Sequence, residues 1–253
     1  MTVSGSSSRD HRHPQFHHQP PARGLDWLAA GWRILLKAPG VWLVQGLLYI
    51  LILFALGLVP LLGWAAVLIA FPVLSAGMVA GVAELEAGRP LRVGHLFEGL
   101  RRHAPNLLMV GVFYLIGGLI AGLIAAAIGG SAALTGYVLG AMAGVGLAIG
   151  GGMLAAAVFT VLWAGLIMAL WFAPALVLLH DVAPLEAMRL SVRACASNLL
   201  CFGLLAVMLY VLAWVAMLPA GLGMLALLPV MAGALYASYH DTFSDAPASL
   251  PQE

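Results

Sequence analysis

The chain has 253 residues, of which 63% are apolar and 8% charged, against roughly 45–50% apolar and about 25% charged in water-soluble domains. That composition excludes a water-soluble globule. Eleven Lys and Arg balance ten Asp and Glu, so no basic excess points to nucleic acid, and none is expected as a partner.

The placement of the charges is more telling than their number. All of them lie in residues 9–37, 84–102, 181–193 and 241–253, leaving uncharged apolar blocks at 41–83, 106–180 and 194–240. This is the pattern of an all-α fold, a polytopic bundle of transmembrane helices. Crossing about 30 Å of hydrocarbon takes about 20 helical residues, and the blocks are counted on that basis.

Residues 1–24 read as a disordered, His-rich cytoplasmic tail. His11, His13, His17 and His18 could chelate a borderline divalent ion, but the surrounding Ser, Gln and Pro build no fixed geometry, so no metal is assigned. The first apolar run begins some forty residues in, behind a lead without a basic-then-apolar start, so the first span is expected to act as an uncleaved signal anchor.

A short amphipathic helix follows, with Leu25, Leu28, Trp32, Leu35 and Leu36 on one face and Asp26, Arg33 and Lys37 on the other. Ala38-Pro39-Gly40 leads into the first block, Val41 to Ala83, which holds two crossings broken at Val59-Pro60-Leu61-Leu62-Gly63. A second amphipathic segment places Val93, Leu96, Phe97 and Leu100 opposite Arg92, His95, Glu98, Arg101 and Arg102, with Glu98 in reach of Arg102 at i, i+4.

The middle block has length for two or three crossings. Nine of the residues from Gly129 to Gly152 are Gly, which weakens intrinsic helix formation, so this piece is expected to be an outer-face hairpin or a re-entrant segment. Alternatively, Ala132, Gly136, Gly140, Gly144, Ala148 and Gly152 put a small residue at every fourth position, a stripe that would suit a further, closely packed span. A third amphipathic segment sets Leu185, Met188, Val192 and Cys195 opposite Glu186, Arg189 and Arg193. The last block divides at Leu218-Pro219-Ala220-Gly221 into two more crossings.

Short loops rich in Lys and Arg stay in the cytoplasm. The residues before the first span place the N-terminus inside, and two crossings return Arg89, Arg92, Arg101 and Arg102 to the same side. Arg189 and Arg193 join them only if the middle block crosses an even number of times, which selects six spans over the alternative of seven. The chain then reads as a single membrane domain over 25–240, made of units 25–86, 87–180 and 181–240, with a short tail at 241–253. Each unit is an amphipathic basic helix followed by a hairpin, and the returning spans carry Pro72, Pro174 and Pro229. The three units make a candidate threefold repeat.

The amphipathic segments are too short and too charged to cross. They are expected along the inner headgroups, with Arg33, Lys37, Arg92, Arg101, Arg102, Arg189 and Arg193 contacting anionic lipid. Trp27, Trp32, Trp42 and Tyr239 are expected to anchor helices at the headgroups.

No ionisable side chain is expected at mid-membrane, which speaks against a proton relay. The polar residues of the spans, Gln45 and Ser75 together with Tyr114, are candidates for a solute path. His180-Asp181 and His240-Asp241 fall at inner span ends. They could offer metal ligands, but a helix-end dipole contact for His and an N-cap by Asp181 account for them better. Cys195 and Cys201 are too few for a disulfide framework and read as small buried residues. Phosphate-binding Gly loops, zinc-protease helices and nucleophile elbows are missing, so no catalytic residue, cofactor or metal is assigned.

The segments Trp171-Phe172-Ala173-Pro174-Ala175-Leu176-Val177-Leu178-Leu179-His180-Asp181, Pro184-Leu185-Glu186-Ala187-Met188 with Ser191 and Asn198, and Leu235 through Phe243 resemble a family of uncharacterised multi-span inner-membrane proteins found mainly in proteobacteria. The resemblance covers most of the chain after Leu25 and leaves out the tail and the Gly-rich piece. It implies a bacterial inner-membrane protein and brings no substrate or catalytic residue. The expectation is a non-enzyme that organises or senses the cytoplasmic leaflet through its basic helices. The alternative is a passive transporter or exporter of a small neutral or lipophilic solute. Membrane lipids are the expected partners, and the small-residue stripes suit a homo-oligomer or a membrane partner protein equally.

Overall fold

The structure, a computed structural model, describes residues 18–60, 62–139 and 141–243, with the backbone alone at 141–143. Residues 1–17 of the expected tail 1–24, with three of its four histidines, and 244–253 of the expected tail 241–253 lie outside the described residues, while 23–24 and 241–243 belong to helices. Among the described residues every regular element is a helix. They are α1 (Arg23–Lys37), α2 (Pro39–Gly57), α3 (Gly63–Glu86), a 3-10 turn (Val93–Phe97), α4 (Glu98–Arg102), α5 (Ala104–Leu139), α6 (Ala141–His180), α7 (Pro184–Ser197), α8 (Leu199–Met217) and α9 (Met224–Phe243). Five of them, α2, α3, α5, α6 and α8, are long and apolar enough to cross a membrane.

The breaks fall where Pro and Gly interrupt the sequence. Ala38 separates α1 from α2, whose first turn holds Pro39. Between α8 and α9 the chain turns through Ala220 and Gly221, both at positive φ. The Gly-rich piece is a hairpin, one of the two forms expected, and its arms are regular helix: α5 stays helical to Leu139 and α6 is helical again from Ala141. The ~1 kcal/mol by which Gly disfavours a helix is set against the close contact of the two arms that small residues allow. The glycines then serve packing between the arms. A Cβ on Gly144 would lie 1.9 Å from the Gly136 carbonyl oxygen, and one on Gly151 would lie 2.0 Å from the Ala132 Cβ.

In chain order a short segment precedes two longer helices in α1–α3, in the 3-10 turn and α4 with α5 and α6, and in α7–α9, the second of each two being the returning helix. The returning helices α3, α6 and α9 touch one another, and each contains an interior proline, Pro72, Pro174 and Pro229. Each also packs against the amphipathic segment that opens the next unit. Thus α3 meets the 3-10 turn and α4, α6 meets α7, and α9 meets α1. Half of the α3 span is buried, against about a fifth of α2 and α8, while α6 is buried chiefly around Pro174, from Ala169 to Leu178.

Close backbone approach makes these junctions. A Cβ on Gly31 of α1 would sit 2.2 Å from the Val230 carbonyl oxygen of α9, and one on Gly77 of α3 would sit 1.9 Å from that of Leu96. At the α6–α7 junction the Ser191 hydroxyl accepts from the Phe172 amide and donates to the Met168 carbonyl, splicing itself into the α6 ladder two residues before Pro174. Rings close the same end of the molecule: Trp27, Phe172, Phe202, Tyr239 and Phe243 join α1, α6, α8 and α9, with centroids 5.1 to 6.2 Å apart.

The buried face of α1 is Gly24, Trp27, Gly31, Ile34 and Leu35. Of the expected stripe, Leu25, Trp32 and Leu36 are exposed, because a helix lying between a bundle and lipid has two apolar faces. Three of the four expected headgroup anchors, Trp27, Trp42 and Tyr239, are likewise interior. The Trp42 indole donates to the Ile34 carbonyl at 3.0 Å, tying α2 back to α1.

Candidate functional site

The amphipathic segments meet the bundle where α3, α6 and α9 end, and their cations point outward. Arg33, Lys37, Arg92, Arg101, Arg102, Arg189 and Arg193 are all exposed. Their bonding differs. Arg102 pairs with Glu98 at 2.8 Å, the expected i, i+4 contact, and Arg101 approaches the same carboxylate at 3.7 Å. Lys37 meets Glu86 of α3 at 2.8 Å. Arg33 makes no hydrogen bond or ion pair with any described residue. The segments are fastened to the bundle by other groups, among them Ser191 and the Gln45 amide, which donates to the Arg92 carbonyl at 2.9 Å.

The His-Asp pairs take separate roles. His180 faces the Tyr239 hydroxyl, and Asp181 pairs with His103 at 3.2 Å. Asp181 is not the N-cap of α7. It closes α6 in the left-handed region at φ 52°, while Ala183 holds the N-cap position and makes no side-chain bond. Asp241 instead accepts from the Trp27 indole at 2.8 Å and meets Arg23 at 3.0 Å. Among the described residues no three His, Cys, Asp or Glu side chains are grouped to hold an ion.

Two of the pockets among these elements bear on the expected site residues. The first, about 210 Å³, sits between the returning helices and is lined by Phe71, Ser75, Leu170, Pro174, Met231 and Leu235 among others. Ser75 and Tyr114 of the expected path line it, with Tyr49 bonded to Ser75 at 3.1 Å. Gln45 does not. It is wholly buried beside the 3-10 turn, its side-chain oxygen without a hydrogen-bond partner among the described residues. Walls so apolar hold hydrocarbon in preference to water.

The second pocket is a polar notch of about 590 Å³ at the ends of α1, α3 and α9. Arg33, Lys37, Glu86, Tyr236, His240 and Asp241 supply its polar groups, and Ala30, Ala83, Ala87, Gly233 and Ala237 leave its space. Sequence reasoning had picked out Arg33, Lys37 and the His240-Asp241 pair without bringing them together. It passed over Glu86 and Tyr236. The small pairs Ala83/Ala87 and Gly233/Ala237, each at i, i+4 near a helix end, were the available signal.

Cys195 and Cys201 are free and buried, as expected. Burial pushes the Cys195 thiol up to about 12, partly opposed by its hydrogen bond with Ser191.

Comparison with known proteins adds one relationship. The chain is 29% identical over 227 residues, covering 85% of its own length and 80% of the other's, to a probable inner membrane protein of Burkholderia thailandensis. With five helices long and apolar enough to cross a membrane, this decides the class. The chain is a multi-pass membrane protein. It is similar to a proteobacterial inner-membrane protein, as the sequence resemblance implied. No family model and no solved structure matches it.

Proposed function

We propose that this chain is a non-enzymatic protein of the bacterial inner membrane that organises or senses the cytoplasmic leaflet, gripping anionic lipid through its three basic segments. In this reading it crosses six times, with both ends cytoplasmic, as three related units. The sixth span is α9, whose first fifteen residues carry no charge. It packs against α1, α2, α3, α6 and α8, so it presents less surface to lipid and needs less apolarity than an outer helix. The positive-inside bias supports the orientation.

One observation carries the reading. The segments are held to the bundle by backbone approaches, neutral side chains and, at α1, the Arg23–Asp241 and Lys37–Glu86 pairs, while Arg33, Arg92, Arg101, Arg102, Arg189 and Arg193 are exposed at the end where the returning helices finish. A basic residue close to an anionic surface contributes ~1 kcal/mol.

The test is energy transfer from tryptophan to dansyl-phosphatidylglycerol in reconstituted liposomes. Neutralising Arg101, Arg102, Arg189 and Arg193 to Gln should abolish enrichment of the anionic probe around the protein. Unchanged enrichment in a variant of intact thermal stability would overturn the proposal.

A further inference from the structure

We propose that the notch between α1, α3 and α9 is a binding site for one zwitterionic phosphate–ammonium headgroup, that of phosphatidylethanolamine. The inference rests on the leaflet reading above and deepens it by naming a site and a ligand class.

Its capacity suits such a ligand, since small-molecule sites run to about 300–1,000 Å³ and the notch holds about 590 Å³. Its charge is mixed. Arg33 and Lys37 come from α1, Glu86 from the end of α3, and His240 and Asp241 from the end of α9. An anion alone would have to face two carboxylates, and an amine alone two cations. A phosphodiester joined to an ammonium meets both.

Arg33 makes no bond or ion pair with described residues, so its guanidinium is available for a bidentate grip on phosphate. Lys37 and Glu86 are already paired at 2.8 Å and nearly half exposed. A zwitterion would exchange that surface pair, worth little in itself, for two complementary ones. Asp241 is more firmly committed, to Arg23 and Trp27, which makes Glu86 the chief partner of the ammonium. The apolar wall of the notch, Ile34 with Ala30 and Ala83, suits the ligand's glycerol end.

The experiment is native mass spectrometry of the full chain in detergent, titrated with phosphatidylethanolamine, phosphatidylglycerol or soluble glycerophosphoethanolamine. One phosphatidylethanolamine should bind about tenfold more tightly than phosphatidylglycerol, as expected if one charge-assisted bond separates them. Arg33→Gln should weaken that adduct about tenfold. Glu86→Gln should erase the preference, because the ammonium loses its carboxylate while the phosphate keeps Arg33. Both residues are exposed on the surface, so both variants are expected to fold. Competition by glycerophosphoethanolamine at equal concentration would support the same chemistry with a soluble source. Equal affinity of the two lipids for the native chain, no stoichiometric adduct, or an unchanged preference in Glu86→Gln would each overturn the site. None of these would touch the leaflet reading, whose test uses four other arginines.

Discussion

At the scale of single residues, stability depends on places where there is no room for a side chain. Gly31 and Gly77 each lie against the carbonyl oxygen of another helix, where an added Cβ would come within 2.2 and 1.9 Å. Backbone cannot step aside as a side-chain tip can. Gly31→Ala and Gly77→Ala should each destabilise the protein by about 1–3 kcal/mol, the usual cost of overpacking, and lower its melting temperature in detergent. Gly165→Ala is the control. Nothing lies within 4 Å of its Cβ site in α6, so the better helix former should leave the melting temperature unchanged or raise it. Equal melting temperatures for all three variants would mean that the junctions are looser than described.

Cys195 makes a second prediction at this scale. Its thiol ordinarily titrates near 9.0, and burial raises it to about 12, so the fold favours the neutral form. That contribution is whole below pH 9 and is lost as pH climbs towards 12. At pH 8 the thiolate population falls about a thousandfold below that of an exposed thiol, and alkylation should slow accordingly. Peptide mass spectrometry after brief N-ethylmaleimide treatment should find Cys195 unmodified in the native protein and modified after denaturation. Rapid native labelling would place the residue outside the core.

At the scale of elements, the outstanding quantity is the length of the central hairpin. Helices of 36 and 40 residues run about 54 and 60 Å, whereas the hydrocarbon core is about 30 Å thick. Tilting to about 40°, the upper end of what membrane helices adopt, still leaves the α5–α6 turn beyond the hydrocarbon. With Ala104 and His180 at the cytoplasmic end, Tyr137→Cys and Val138→Cys should be labelled by a membrane-impermeant maleimide applied to the periplasmic side. Arg101→Cys and Arg189→Cys should be labelled only after lysis. Periplasmic labelling of either arginine position would overturn the six-span orientation.

The same elements show what could be read in advance. The uncharged blocks, the Pro and Gly breaks, the Glu98–Arg102 pair and the helical entry at Pro39 were legible, because charge and backbone donors are one-dimensional properties. The face of α1 was not, since lipid and bundle both accept apolar side chains. Only Gly24 and Gly31 distinguish the packed side. The helical arms of the Gly-rich piece were legible only through the small-residue stripe from Ala132 to Gly152, since propensity alone pointed away from helix. The notch was beyond reach for a different reason. It assembles Arg33, Glu86 and His240 from three helices far apart in the chain, and no local spacing reports that.

At the scale of the whole molecule, the junctions form a closed cycle. The α3 helix holds the second amphipathic segment, α6 holds the third, and α9 holds the first. No unit therefore completes its own packing, and α1 is as much a part of the last unit's wall as of the first unit's start. The two ends of the described chain meet there. The Gln19 amide donates to the Asp241 carbonyl at 2.7 Å, and Arg23 reaches the Asp241 carboxylate at 3.0 Å. Closely placed ends tolerate being joined, and Ala87-Gly88 is an exposed turn with Gly88 at φ 73°, where a chain tolerates being cut. A circular permutant running from residue 89 to 243, through a short flexible linker, and on from 19 to 88 should therefore insert with both ends in the cytoplasm. Its melting temperature and its monodispersity on size-exclusion chromatography should match those of the native chain. Removing residues 1–37 should not be tolerated, because it strips Trp27 from Phe202 and Gly31 from the α9 backbone. A permutant that fails to fold with linkers of any length, beside a stable deletion of α1, would show that the first helix is an accessory and that the cycle does not hold the molecule together.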